Sequence, residues 1–269
     1  MRKVTVFPKS SEAKKEKIIT TLLGSGVILL FLISWELLFQ SKLVNPLFIS
    51  SPSRVVLALI TIIRDGSLLQ NLTISGQEFV LGYGMAILIG FPIGIMLGWF
   101  KLIRAAFGPF IAAMQATPRI ALMPLFIIWF GLGITSKIVI VLLSAIFPLI
   151  VNLQVAMSTI DNDLMHVARA YGASRWQVFR SIALPTSLPF LITGLRLAAS
   201  RGLLGVIMAE VFGGAAGLGY MIQYAGSTFQ TDKVFAGVLV VAFTGITLDF
   251  ALDRLGRHFD RWRGEVAVH

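Results

Sequence analysis

The sequence predicts an all-α protein that crosses a membrane about six times. Hydrophobic residues make up 56% of the 269 positions, whereas Asp, Glu, Lys and Arg together make up 13%. Soluble domains contain about 25% charged residues, so lipid is the main solvent for this chain. One helical crossing takes about 20 apolar residues. Six segments meet that requirement, approximately 18–39, 80–100, 105–131, 137–157, 188–212 and 234–252.

The chain starts with a basic tail, residues 1–17, which carries six Lys or Arg residues. The apolar run that follows ends in Leu-Leu-Phe and has no Ala-x-Ala cleavage site, so we predict a retained first helix rather than a cleaved signal peptide. Residues 18–69 comprise this helix and an outer loop. Within that loop, residues 55–63 are apolar but too few to cross the bilayer, which predicts a short helix along the outer interface.

Residues 70–253 form the predicted transmembrane core. Its second span carries a ridge of small residues at four-residue spacing, Ala86, Gly90, Gly94 and Gly98. Such a ridge lets another helix approach closely, either within one bundle or in another subunit. Three prolines lie in the third span, Pro109, Pro118 and Pro124. They predict that this span is broken or kinked.

The distribution of basic residues predicts the orientation of the spans. Lys and Arg concentrate in the N-terminal tail, in residues 158–187 and in a second basic tail, residues 254–269, whereas the long 40–79 connection has three. The positive-inside rule therefore places both termini in the cytoplasm. The net charge of +10 follows from these tails and loops, so it does not indicate a nucleic-acid partner.

Residues 158–187 form the longest predicted cytoplasmic connection and contain two short helices. Gly172 supplies the turn between them, Ser174 caps the second helix, and we expect Pro185 to end it. Large apolar residues recur at helical spacing on both helices: Leu164, Val167, Ala168, Tyr171, Trp176, Val178, Phe179 and Ile182. Exposed apolar faces of this kind need a partner that covers them.

This loop resembles the cytoplasmic signature of type I ABC importer permeases. Their signature is Glu-Ala-Ala, three residues, Gly, nine residues and Ile-x-Leu-Pro. Gly172, Ile182, Leu184 and Pro185 match it in full spacing, whereas the opening triplet is His166-Val167-Ala168, of which the alanine at 168 matches. Further motifs resemble the branch that handles nitrate, sulfonates and taurine: Ser51-Pro52-Ser53-Arg54, Trp129-Phe130-Gly131-Leu132-Gly133, Gly194-Leu195-Arg196, Ala209-Glu210, Gly217-Leu218-Gly219-Tyr220 and Arg261-Trp262-Arg263.

The resemblance implies a permease subunit of an ATP-driven importer in the inner membrane of a bacterium. It implies two copies of a cytoplasmic ATPase, a second permease copy and an extracytoplasmic solute-binding protein as partners. The solute would be a sulfonate-, nitrate- or taurine-like anion, or a small heterocyclic precursor. The implied ATPase contacts are His166, Ala168, Arg169, Gly172, Arg175, Trp176, Ile182, Leu184 and Pro185.

This chain is not expected to be an enzyme or to hold a cofactor. It contains no Gly-x-x-x-x-Gly-Lys-Ser/Thr phosphate loop, so ATP and magnesium belong to the partner ATPase. It has no cysteine, and its three histidines are scattered, which excludes thiolate chemistry and predicts no metal site. No paired catalytic groups occur at mid-membrane depth, as an intramembrane enzyme would require.

Four polar residues are candidates for the solute pathway. Gln115 and Arg119 flank the proline at 118, where a broken helix can expose polar groups to a cavity. Arg201 lies near the middle of the fifth span, where it could attract an anion or form an ion pair with Glu36, Asp249 or a partner-chain carboxylate. Glu210 could belong to an outer gate or cap a helix end.

The alternative function is an ion-coupled secondary transporter. That class usually has more spans, internal repeats and buried carboxylates that bind the coupling ion. No repeat is visible in this sequence, and the carboxylates of the predicted core are few and close to the span ends. These features favour the ATP-driven importer.

Overall fold

The computed structural model describes residues 10–160 and 162–259, with side chains described for 18–160 and 163–257. Within these ranges the chain is α-helical and contains no β-strand. Residues 1–9 and 260–269, which include the whole of the last predicted motif, Arg261-Trp262-Arg263, and parts of both basic tails, lie outside the described residues. The prediction of an all-α membrane protein is confirmed.

Five helices are long and apolar enough to cross a membrane, and one bent pair makes a sixth crossing if counted as a single span. The five single spans are α1 (Ser10–Gln40), α3 (Ser67–Trp99), α6 (Ile134–Ser158), α9 (Leu184–Gly213) and α11 (Thr231–Phe259). The bent pair is α4 (Lys101–Ala116) and α5 (Met123–Phe130), with a 3-10 turn at Arg119–Leu122 between them. The shorter helices are α2 (Pro52–Arg64), α7 (Asn162–Ala170), α8 (Arg175–Val178) and α10 (Leu218–Ser227).

Three helices extend beyond the predicted apolar segments. α1 begins within the predicted basic tail, α11 continues past residue 252, and α3 begins at Ser67 rather than near residue 80. The early start of α3 has a physical cause, because its polar first turns are buried against other elements. Asn71, Ser75 and Glu78 all find partners there, so this segment is stable as helix although its hydropathy is low.

The centre of the bundle is α6, which packs against α3 on one side and α9 on the other. The small-residue ridge of α3 faces α6: a Cβ added at Gly94 would lie 2.7 Å from the Leu153 Cβ and 3.1 Å from the Ile150 carbonyl oxygen. Gly194 and Gly205 of α9 make similarly close approaches to α6. The ridge therefore packs helices within one bundle. This is the first of the two roles that the sequence left open, the other being a contact with another subunit.

The first helix, α1, lies at the edge of this bundle. None of its apolar 18-residue window is buried. Trp35 attaches the helix near its C-terminal end, because its indole N–H donates to the Ser50 carbonyl at 2.7 Å and its ring packs against Phe235 at 5.3 Å. The rest of its surface is suited to contact with lipid.

Candidate functional site

The turn between α7 and α8 has the left-handed geometry that is expected of a glycine at position 172. Gly172 has φ +76°, and its N–H donates to the Arg169 carbonyl at 2.9 Å. The Ala173 N–H donates to the Ala168 carbonyl at 3.0 Å. This pair of hydrogen bonds is the Schellman ending of a helix, which places a left-handed residue just past the last turn. A β-branched side chain is strained in that conformation.

The second loop helix starts with a reciprocal cap. Ser174 Oγ accepts from the Gln177 N–H at 3.3 Å, and Gln177 Oε1 accepts from the Ser174 N–H at 2.7 Å. The predicted end of this helix at Pro185 is wrong. α8 passes through a π-helical segment, Phe179–Ala183, directly into α9, so that Arg175–Gly213 is one helix. The wider π turn falls where proline removes a backbone donor and crowds the preceding turn.

The loop exposes four of the apolar side chains predicted for its outward faces, whereas Val178 is buried against the bundle side instead. Leu164, Val167, Tyr171 and Trp176 are all exposed. Trp176 stacks on the Phe179 ring at 5.4 Å, and that ring packs edge-on against Trp99 of α3 at 5.1 Å. The aromatic contacts fix α8 to the bundle, while the exposed face remains available to a partner.

The residues predicted to contact an ATPase fall into two groups. His166, Arg169, Gly172, Arg175 and Trp176 are exposed on the loop, and Ala168 is half-buried beside them. Ile182, Leu184 and Pro185 are half-buried where the π segment joins α9. The first group can meet another protein directly. The second group sets the direction in which the loop leaves the bundle.

Two of the predicted pathway residues lie on neighbouring elements. The 3-10 turn that carries Arg119 packs against α9, which carries Arg201. Arg119 is half-buried, whereas Arg201 is exposed. Arg119 lies 5.2 Å from the centre of the Phe147 ring and donates to the Gln115 carbonyl at 3.1 Å. Its buried Nε has no hydrogen-bond partner. The side chain of Gln115 itself is exposed.

Neither of these arginines is neutralised by a carboxylate within residues 18–160 and 163–257. Asp249, one of the partners considered for Arg201, instead binds Arg196 through two hydrogen bonds of 2.9 and 2.8 Å. Asp253 contributes a third bond to Arg196 at 2.9 Å. Glu36 accepts from the Ser53 N–H at 3.1 Å. The ion pair with Asp249 therefore belongs to Arg196, and Arg201 has no carboxylate partner among the described residues of this chain.

The fourth candidate, Glu210, is fully buried and organises the loop before α10. Its carboxylate accepts from Ser75 Oγ at 2.6 Å and from the Gly219 N–H at 2.7 Å, while Ser75 Oγ accepts from the Leu218 N–H at 2.8 Å. Gly217, with φ +109°, allows this arrangement, because a Cβ there would collide with the carboxylate. Glu210 thus caps a helix end, that of α10 rather than its own.

Beside Glu210 lies a buried ion pair that the sequence did not suggest. Lys137 Nζ is 2.9 Å from Glu78 Oε1, with 7% and 1% of their side chains exposed. The second oxygen of Glu78 has no donor among the described residues. A signal was present in the sequence, because Lys137 begins one predicted span and Glu78 lies two residues before another. No group of three or more possible metal ligands occurs in the part of the chain described here.

These features define a class of protein, a multi-pass membrane protein with an exposed apolar surface on the loop of α7 and α8. The chain belongs to the family of binding-protein-dependent transport system inner membrane components, whose model matches residues 90–264. It is a multi-pass ABC transporter permease of the nitrate, sulfonate and taurine branch. Members of this family are permease subunits, not enzymes, and the family implies an ABC ATPase and a solute-binding protein as partners.

Two relatives and one solved structure illustrate the assignment. The taurine transport system permease TauC of Escherichia coli K12 is 34% identical over 91% of this chain and 90% of its own length. The putative aliphatic sulfonates permease SsuC of Bacillus subtilis 168 is 33% identical over 85% and 83%. An inward-facing structure of the MetNI methionine ABC transporter shares the fold, with a TM-score of 0.65 and 19% identity over 73% of this chain and 97% of its own.

Proposed function

We propose that this chain and a second copy of itself form the pathway by which a small sulfonate-like organic anion enters the cell. The observation that supports an anion is the placement of two cations, Arg119 and Arg201, on elements that pack against each other, with no carboxylate partner for either among the described residues. Two guanidinium groups repel each other in a medium of low dielectric, and an anion between them reverses the sign of that interaction. A sulfonate offers three oxygens, and guanidinium groups bind oxyanions through charge-assisted hydrogen bonds.

The broken span supports the same proposal. Its two halves meet at 85°, and the turn between them carries Arg119. Irregular backbone at membrane depth is tolerated where it lines a cavity or is buried in protein. The buried Nε of Arg119 lacks an acceptor, and a solute oxygen would supply one. Gln115, one turn earlier, lies close to the same position.

The exposed apolar face of α7 and α8 is the proposed ATPase contact. In this arrangement each of two cytoplasmic ATPases receives one loop, and the ATPases alone bind ATP and magnesium, while this chain holds no cofactor. An extracytoplasmic binding protein delivers the solute. Both termini lie in the cytoplasm, as the basic residues flanking the first and last spans indicate.

Uptake by proteoliposomes that contain the complete transporter tests the anion proposal. Arg201→Gln and Arg119→Gln should each weaken the apparent affinity for taurine about ten- to a hundredfold, since each removes a charge-assisted hydrogen bond. Arg201→Lys should retain more activity than Arg201→Gln, because it keeps the charge. Arg64→Gln, the same change at an exposed position on α2, should have no effect. Full uptake by both pathway variants would exclude the pair from the pathway.

Competing substrates and an ionophore distinguish the remaining possibilities. Competition by short alkanesulfonates, with none by nitrate or by an uncharged heterocyclic precursor, is the expected result. Competition by the heterocycle alone would assign the pathway to the neutral solutes instead. Uptake should require ATP on the cytoplasmic side and persist when an ionophore removes ion gradients. Uptake that stops with the ionophore would indicate ion-coupled transport.

A further inference from the structure

A cavity of about 460 Å³ lies between the loop that carries α7 and α8 and the bundle. Its walls come from the corner between α3 and α4, the end of α6 and the two loop helices. Five basic side chains line it: Lys101, Arg104, His166, Arg169 and Arg175. A volume of this size is typical of a small-molecule site. This cavity lies at the opposite end of α9 from the cap formed by Glu210.

The basic side chains of this cavity lack a carboxylate partner in the part of the chain whose side chains are described. None of the five basic residues forms an ion pair with any carboxylate whose side chain the structure describes. The positive-inside rule accounts for basic residues on this side of the membrane. It does not require three helices, α4, α7 and α8, to bring them to one concave site. Their convergence favours a bound anion.

The surroundings of the cavity indicate that this anion comes from the lipid. Trp99 stands at the end of α3, where aromatic side chains mark the membrane interface. Leu102 is 87% exposed on the adjoining turn and also lines the cavity, as do Ile160 and Met165. A phosphate would meet the cations, while the apolar side chains would contact the glycerol and the first methylene groups.

We propose that this cavity binds the phosphate group of an anionic phospholipid from the cytoplasmic leaflet. The inference rests on the cytoplasmic placement of the loop given under the proposed function. A bound phosphate joins Lys101 and Arg104 of α4 to Arg169 and Arg175 of the loop through one shared anion. The position of the loop therefore depends on the lipid that surrounds the protein.

The test uses the full chain in nanodiscs, without ATP or solute, and measures lipid binding by native mass spectrometry. The expected preference is for phosphatidylglycerol over phosphatidylcholine. The double variant Lys101→Gln/Arg104→Gln should lose about thirtyfold in affinity for phosphatidylglycerol, because each cation near an anionic surface contributes about fivefold. Lys101→Arg/Arg104→Lys, which keeps both charges, should retain the preference. Arg64→Gln on the other face is the matched control.

Each outcome decides the proposal. Equal binding of both lipids by the parent protein, or an unchanged preference in the double Gln variant, would overturn it. Inorganic phosphate is the second arm: saturable thermal protection by millimolar phosphate in phosphatidylcholine discs, without any preference for phosphatidylglycerol, would assign the cavity to a free anion. This experiment measures lipid binding and not transport. A negative result would therefore overturn the lipid site without affecting the proposed solute pathway, and a negative uptake experiment would not affect the lipid site.

Discussion

The buried pair between Lys137 and Glu78 gives the sharpest stability prediction. At 2.9 Å and an effective dielectric constant of 20, the attraction between the two charges is about 6 kcal/mol. Removing one partner leaves the other charge buried and unpaired, which typically costs about 3–5 kcal/mol. Lys137→Met should lower the free energy of unfolding by that amount, because Glu78 would then lie beside Glu210 with no cation between the elements.

A double variant separates the charge from the packing. Glu78→Gln combined with Lys137→Met keeps the side-chain volumes and removes both charges, so its stability should lie within about 1 kcal/mol of the parent. Arg257→Gln is the matched control. It breaks an exposed pair on α11, in which Arg257 is 73% exposed, and should change the stability by less than about 1 kcal/mol.

The assay is equilibrium unfolding by dodecyl sulfate in mixed micelles, followed by tryptophan fluorescence at pH 7. The parent, the exposed-pair control and the double variant should have similar free energies of unfolding. Lys137→Met should have a much lower one. The reasoning fails if Lys137→Met is as stable as the control, since the pair would then contribute no more than a surface pair. It also fails if the double variant is as unstable as Lys137→Met, since packing rather than charge would then dominate.

Three further predictions address coupling, packing and orientation. Gly172→Val should abolish ATP-driven uptake while the chain still inserts, because its φ of +76° strains a β-branched residue, whereas Gly172→Asn should retain uptake. Gly94→Val should lower the free energy of unfolding by about 1–3 kcal/mol through a collision with α6, while Gly84→Val, whose Cβ meets nothing within 4 Å, should have a smaller effect in the same assay. In intact cells, an impermeant thiol reagent should label Arg64→Cys but not Ser10→Cys, and labelling of the latter would contradict the orientation.

The sequence predicted the spans well because hydropathy acts locally. Apolar length alone locates the five single spans and the bent pair, and prolines alone indicate the break in that pair. The start of α3 could not be predicted in this way. Asn71 and Ser75 are polar and suggest a loop, yet both bond to the segment before α10, which is some 140 residues further along the chain. Tertiary contacts, not local composition, make that segment helical.

In the candidate site, too, features set by neighbouring residues were predictable and features set by distant residues were not. The turn at Gly172 and the cap at Ser174 were predictable, because each depends on residues within one turn. The partner of Asp249 was not, because Arg196 and Arg201 lie on the same helix and differ only in the direction they face. The end assigned to Pro185 was wrong because a π turn accommodates the proline that would normally end a helix.

That uninterrupted helix has a mechanical consequence. Arg175–Gly213 contains 39 residues, a rod about 58 Å long at 1.5 Å per residue, whereas the hydrocarbon layer is about 30 Å thick. In the proposed arrangement an ATPase contacts the end that carries α8, and the other end holds Glu210 with the loop before α10. A displacement of the first end would then be transmitted to the opposite side of the membrane through one helix. The wide turn at Phe179–Ala183 departs from α-helical hydrogen bonding close to the first end, so its stiffness would determine how much of that displacement is transmitted.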